Sequence, residues 1–152
     1  MSDSTIRRAS LDDLDAVAPL FADYRVFYAQ AHDVAMARAF LRERLERGES
    51  VVLLATLADG APAGFTQLYP MFSSVRAART WILNDLFVAP SARRRGVANA
   101  LLDAATAFAR AEGAVRLELE TTHDNAAAQA LYRAAGWESH DDTLRFRLPL
   151  AG

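Results

Sequence analysis

Apolar residues along this chain switch between two spacings, every second residue in some blocks and every third or fourth in others, and each block predicts an element. Residues 5–9 read as a short strand. Ser10, with Asp13 three positions later, is an N-cap signature for a helix whose apolar side is Leu14, Val17, Leu20, Phe21 and Tyr24. A second helix is predicted over about residues 35–47, with Phe40, Leu41 and Leu45 as its stripe and Gly48 as its stop. Residues 51–58, 63–69 and 80–88 are predicted strands, ended by Asp59-Gly60, Pro70 and Ala89-Pro90. Residues 93–96 open a helix carrying Val97, Leu101, Ala105 and Phe108 and closed by Gly113. Residues 115–120 alternate, with Val115, Leu117 and Leu119 on one face. Residues 126–135 form a last helix capped before by Asp124 or Asn125 and after by Gly136, and 137–138 with 143–148 form a hairpin around His140-Asp141-Asp142.

This order predicts an α+β fold: a mostly antiparallel central sheet of about seven strands with helices on both faces. The strand–helix–strand over residues 80–120 is a crossover and should give one parallel pair. No linker or repeat divides the 152 residues, so a single domain over 1–152 is expected.

Composition narrows the function. The 17 cationic side chains are all arginine, and against 19 acids they leave a net charge of −2. That balance argues against a general nucleic-acid or membrane-surface binder and leaves room for one local basic site. With no cysteine, thiolate metal sites, disulfides and a cysteine nucleophile are excluded. His32, His123 and His140 have no ligand spacing, so no metal is expected. No long apolar run occurs and the opening MSDSTIRRAS has no apolar segment of the signal-peptide kind, so the expected location is cytoplasmic.

The chemically informative stretch runs from Asn84 to Ala98. A strand ends at a proline, and Arg93-Arg94-Arg95-Gly96 leads straight into a helix. First-turn amides of a helix lack internal partners and carry partial positive charge. Small residues at Gly96 and Ala98 let an anion approach the backbone, and arginines add forked donors. A second feature is a polar stripe: Asn125, Gln129 and Tyr132 share one face of the last helix, since seven steps of about 100° return to within about 20° of the start.

Together these motifs, the Arg93-x-x-Gly96-x-Ala98 string after NDLFVAP and the DNAAAQALYRAAGW helix about 30 residues on, resemble the GNAT superfamily of acetyl-coenzyme A-dependent N-acetyltransferases. Residues 81–137 carry the resemblance, and the strand at 81–88 looks closest to the diamine N-acetyltransferase branch and its bacterial relatives. The resemblance implies an acyltransferase with acetyl-CoA as co-substrate. It implies that Leu86, Phe87 and Val88 offer backbone hydrogen bonds to the pantetheine arm where two parallel strands splay apart. It further implies that Arg93, Arg94, Arg95, Gly96, Val97, Ala98 and Asn99 wrap the pyrophosphate. Asn125 matches a cofactor contact, and Tyr132 matches the general acid.

Direct attack by an amine on a thioester needs no enzyme nucleophile. A phenol with pKa near 10 can protonate a thiolate with pKa near 8.5, and the Val88 N–H can polarise the thioester oxygen. Where the diamine branch has Glu-Asp, this chain reads Asn84-Asp85, which leaves Asp85 as the candidate base or substrate anchor, with Glu118, Glu120 and His123 behind it. Strand alternation places Asp85 with Leu83 and Phe87, and Asn84 with Leu86 and Val88. Tyr24, Tyr28, Tyr69, Phe72 and Trp81 are candidate walls of an acceptor pocket, with Asn84 and Asp85 at its polar end. The leading expectation is acetylation of a primary amine of a small molecule. Acetylation of a protein or peptide and a non-catalytic acyl-CoA-binding module are the alternatives, and a homodimer through the C-terminal hairpin or a sheet edge is expected.

Overall fold

The computed structural model describes residues 3–151, which fall into two compact units dividing after Glu120. The first holds β1 (Ser4–Arg8), α1 (Leu14–Val26), α2 (Val34–Glu46), β2 (Val51–Leu57), β3 (Pro62–Ser73), β4 (Ala78–Val88), α3 (Val97–Ala111) and β5 (Leu117–Glu118). The second holds α4 (Ala126–Ala134). The sheet runs in chain order β1-β2-β3-β4-β5; the first three pairings are antiparallel and the last is parallel.

The entry to α1 follows the sequence signature. Ser10 accepts from the Asp12 amide, Asp13 reaches back to the Ser10 N–H at 2.8 Å, and a short 3-10 turn over Leu11–Asp13 leads into the helix. Arg7 holds the Asp13 carboxylate through two bonds of 2.8 and 2.6 Å. That guanidinium, acting first by hydrogen bonding, pulls the Asp13 pKa down to about 2.

Two apolar layers flank the sheet of the first unit. On one face Leu14, Val17, Phe21 and Leu41 of α1 and α2 pack with Val52, Leu54, Phe65 and Phe87. On the other face lies α3: Phe108 meets Trp81 edge-on at 5.1 Å, and the position of a Cβ on Gly64 would be 3.5 Å from the Leu101 side chain.

Pro70 was expected to end a strand, yet β3 continues to Ser73. The register explains this. Pairing between β2 and β3 begins at Val51↔Leu68, so beyond Leu68 the β3 strand is paired only with β4. A proline is tolerated where its missing N–H faces an unpaired edge.

Other sequence expectations are corrected. The sheet of the described residues has five strands rather than seven, because the hairpin expected at 137–138 and 143–148 forms no strand. An alternating Leu144, Phe146, Leu148 pattern supplies a strand-like face, but a strand exists only through ladder bonds, and these residues make none. The strand expected over 115–120 is reduced to Leu117–Glu118, paired at Trp81↔Leu117 and Ile82↔Glu118. With so short a partner, no second strand runs beside Leu86–Val88 in this unit, and the expected splay of two parallel strands is not found.

The tightest backbone approach is at Gly64, opposite Val88, where an added Cβ would lie 2.5 Å from the Phe87 carbonyl oxygen. Gly64→Ala must push β3 away from β4 and is expected to cost about 1–3 kcal/mol, as overpacked sites do. Thermal or denaturant unfolding measures this, and an unchanged melting temperature would contradict the contact.

Candidate functional site

Pairing of β3 with β4 proceeds as Thr66↔Leu86, Gln67↔Asp85 and then Leu68↔Leu83, so Asn84 is an extra residue on β4. This is a β-bulge, which reverses the facing of side chains on its two sides. The simple alternation that grouped Asp85 with Leu83 is therefore corrected. Leu83 shares the α3 face with Leu68, while Asp85 and Phe87 share the α1 face with Gln67 and Phe65. The Thr66 hydroxyl pins the bulge by donating to the Asp85 carbonyl at 2.7 Å.

Asp85 is consequently a carboxyl in an apolar layer, only 5% exposed. Gln67 Nε2 donates to its Oδ2 at 2.7 Å, and Asn84 Nδ2 to its Oδ1 at 3.1 Å. The Tyr24 hydroxyl, which donates to the Asn84 carbonyl at 3.5 Å, lies near enough to the same carboxyl to favour its charged form. All these partners are neutral. Burial pushes the Asp85 pKa above the usual carboxylate value, and the bonds from Gln67, Tyr24 and Asn84 oppose that shift without cancelling it. Burial, then the Asp85 charge, raises the Tyr24 phenol as well.

Tyr69 lies two residues beyond Gln67 on the same face of β3. Its phenol is pushed up to about 12, by burial first and the Asp85 charge second, with Arg44 opposing. Tyr69 and Pro70 join Arg44, Gly48 and Glu49 around an open depression of about 580 Å³. The Arg44 guanidinium is engaged by Glu49 at 2.9 Å and Glu43 at 3.1 Å, and lies over the Phe40 ring. Tyr24 sits 5.1 Å from Tyr28, which is exposed near the end of α1, and edge-on to Phe65 at 5.8 Å.

Two expected pocket walls lie elsewhere. Phe72 is on the opposite face of β3 from Tyr69, under the Arg79 guanidinium at 4.3 Å, and Trp81 faces α3. The cause is register: Phe72 pairs with Arg79, and the bulge has already turned Trp81 and Arg79 to that side. Glu118 is exposed and paired with Arg116 at 2.6 Å.

The helix start after β4 has the shape of an anion cradle. Arg94 has φ of +65° and Gly96 has φ of +74°, so the chain turns left-handed twice before α3. Gly96 is the N-cap and brings no side-chain acceptor, in contrast to Asp33 on α2 and Asn125 on α4. First-turn amides of α3 thus point outward uncapped, with Gly96 and Asn99 exposed and Ala98 half-buried; Val97 is buried as the helix anchor. The three arginines differ. Arg93 turns back, donating to the Val88 carbonyl at 3.3 Å and lying over Phe27, whereas Arg95 is 3.9 Å from Asp3 and Arg94 is exposed. Beyond Ile82, β4 has no β5 partner, so Leu86 and Val88, both half-buried, and Phe87, buried, form a free strand edge leading to this turn.

In the second unit Asn125 caps α4 through the Ala128 N–H at 3.2 Å. Gln129 donates to the Thr122 and His123 carbonyls, each at 3.0 Å, which fixes the loop before the helix. The Tyr132 ring lies 6.2 Å from that of Trp137. Two members of the polar stripe therefore hold the helix entry.

The residue that sequence reasoning missed is Gln67. A glutamine at an inward position between Phe65 and Tyr69 was the available signal, a polar side chain where the alternation calls for an apolar one. No metal is suggested by the side chains: among the described residues no group of three His, Cys, Asp or Glu could hold one.

Comparison with known proteins identifies the class. The model of the acetyltransferase (GNAT) family matches residues 15–137. A Bacillus subtilis (strain 168) protein named uncharacterized N-acetyltransferase YhfO is 52% identical over 143 residues, 94% of this chain and 95% of that one. An aminoglycoside N(6')-acetyltransferase type 1 of Klebsiella aerogenes is 33% identical over 123 residues, 80% of each chain. The crystal structure of a probable acetyltransferase superposes with a TM-score of 0.92 at 42% identity, covering 97% of this chain and 99% of that one. The chain belongs to the GNAT family, and is an acetyl-CoA-dependent N-acetyltransferase with acetyl-CoA as co-substrate. Among the described residues no helix is long and apolar enough to cross a membrane.

The raised Asp85 pKa has a consequence for stability. An unfolded aspartate ionises near its ordinary value, whereas the folded carboxyl keeps its proton to higher pH. Within that window the folded chain binds more protons, so stability falls as pH rises and the loss is complete above the folded pKa. Asp85→Asn, which does not titrate, is expected to gain melting temperature relative to the wild type as pH rises from about 4. A gap independent of pH would return Asp85 to an ordinary value.

Proposed function

We propose that this enzyme transfers the acetyl group of acetyl-CoA to a primary amine of a small molecule, with Asp85 as base and Tyr132 as general acid. The observation that carries the reading is the buried Asp85 carboxyl with neutral partners only, on the face that bears Tyr24 and Tyr69. The aminoglycoside acetyltransferase relative supports a small amine as acceptor.

Acetyl-CoA supplies an acyl group already activated as a thioester. The protein's tasks are to bind, to orient and to move two protons. An alkyl ammonium cannot attack until it loses a proton, and a carboxyl whose pKa is raised by burial is a better acceptor for it than an ordinary aspartate. Tyr24, Tyr28 and Tyr69 provide aromatic and hydroxyl surface beside that base, and Asn84 holds it from the bulge. The amides from Arg94 to Ala98, with the guanidinium groups of Arg94 and Arg95 and the Asn99 side chain, take the pyrophosphate. Arg93 steadies the turn from behind. The free edge at Leu86–Val88 accepts the pantetheine arm as an added strand, with the Val88 N–H available to the thioester oxygen. Asn125 contacts the arm, and Tyr132 returns a proton to the departing sulfur.

Thiol release measured across polyamines, amino acids, aminoglycosides and peptides tests the reaction; turnover with peptides alone would replace the small-molecule reading. Gly96→Val places a β-branched residue at a left-handed φ, which costs about 1–2 kcal/mol. Calorimetry should therefore show coenzyme A binding about tenfold weaker, and unchanged affinity would remove the turn from the cofactor site. Tyr132→Phe should lower kcat by about 100-fold or more with acetyl-CoA affinity within about twofold of wild type. An unaltered kcat would leave Tyr132 a packing residue.

A further inference from the structure

Gln67 is fully buried and makes one side-chain bond, from Nε2 to Asp85 Oδ2, while its own Oε1 is buried without a hydrogen-bond partner. A buried amide oxygen left without a donor is destabilising, so its presence calls for an explanation. The carboxyl it faces is the group that must gain a proton during turnover. A carboxylate only accepts hydrogen bonds, whereas the carboxylic acid has an O–H that needs an acceptor. A half-turn of the terminal amide exchanges the Gln67 nitrogen and oxygen in place, because that torsion is broad and roughly two-fold.

We propose that Gln67 is the positioning residue of the Asp85 base, donating its amide N–H to the carboxylate and, after the half-turn, accepting the O–H of the carboxylic acid through Oε1. This rests on the assignment of Asp85 as base. In the step served, an N–H bond of the acceptor ammonium breaks, its electron pair stays on nitrogen, and an O–H bond forms on Asp85. That O–H then has an acceptor waiting, and the proton later leaves to solvent.

The groups facing this pair are few. From α1 comes the Tyr24 hydroxyl, with Tyr28 behind it, and from β4 the Asn84 amide. From β3 comes Tyr69, and from α2 Arg44 acts on Tyr69 and not on the carboxyl itself. With no cationic side chain bonded to Asp85 among the described residues, the balance between its two forms rests on neutral donors, and Gln67 makes the shorter of the two amide bonds, 2.7 Å against 3.1 Å from Asn84.

The test uses the whole enzyme carrying Gln67→Met, which keeps the length of the side chain and removes both donor and acceptor. Loss of the charge-assisted N–H bond to the carboxylate outweighs loss of the weaker neutral bond from the acid O–H, so carbon-13 NMR of the Asp85 carboxyl should show its titration midpoint rise by about one pH unit. The acid limb of kcat/KM should move by the same amount, with coenzyme A affinity unchanged. Gln67→Glu, closest in shape, is the second variant should Gln67→Met not fold, and should raise the midpoint further through like charge. A midpoint within about 0.2 units of wild type in whichever variant folds overturns the proposal and leaves Gln67 a packing residue. Asp85→Asn separates the two readings. If the acid limb survives in Asp85→Asn, the base assignment fails. If the limb is lost there but stays in place in the Gln67 variant, only the role of Gln67 fails.

Discussion

One inserted residue in the fourth strand sets the geometry of the site. Asn84 has no counterpart on β3, so β4 presents Trp81 and Leu83 to α3 and, two residues later, Asp85 and Phe87 to α1. Without that insertion Asp85 would lie on the same side as Leu83, against α3. With it, an ionisable group enters a layer formed by Phe21, Tyr24, Phe65 and Phe87, whose rings meet at centroid distances of 5.8 to 6.4 Å. Such a layer has little capacity to solvate charge, and the carboxyl is held there by amide and phenol hydrogen bonds.

The same strand carries the other half of the proposed binding apparatus. Past Ile82 its outer edge has no β5 partner, past Val88 the chain turns left-handed at Arg94 and Gly96, and α3 begins without a side-chain cap. Each of these leaves backbone donors or acceptors unspent. In a structural loop that would be a defect; at the proposed site for a long anionic ligand it would be the means of recognition, because main-chain amides are fixed by the fold and need no side-chain ordering. The rigidity comes from packing on both sides: Val97, Leu101 and Leu102 anchor α3, and Arg93 ties the turn back to Val88 and Phe27.

Membership of the GNAT family fixes the class of reaction and leaves the acceptor to local features. The features proposed for that role lie on the α1 face, where Tyr24 and Tyr69 flank Asp85 and the depression bounded by Arg44 and Glu49 opens beside Tyr69. The Arg44–Glu49 pair makes that rim polar with little net charge, so in the proposed site hydrogen bonding and aromatic contact would weigh more than long-range attraction.

Much of the fold was legible in the sequence because local physics governs it. Period and caps placed α1, α2, α3 and α4, turn residues placed β2 and the end of β4, and the arginine–glycine string announced the α3 entry. Strand extent was less legible: β3 passes through Pro70 only because β2 has already ended, and the hairpin expected near the C-terminus has a suitable pattern without ladder partners. The site divided in the same way. Asp85 could be singled out as a carboxylate beside the motif, but its orientation, its neutral partners and the orphan oxygen of Gln67 follow from a register shift between two strands. Sequence by itself determined the elements and the chemical vocabulary, since propensities and periodicity act within a few residues. Only the tertiary structure decided which face each residue occupies, because a bulge is set by the pairing of strands about 18 positions apart in the chain and leaves no mark on either strand alone.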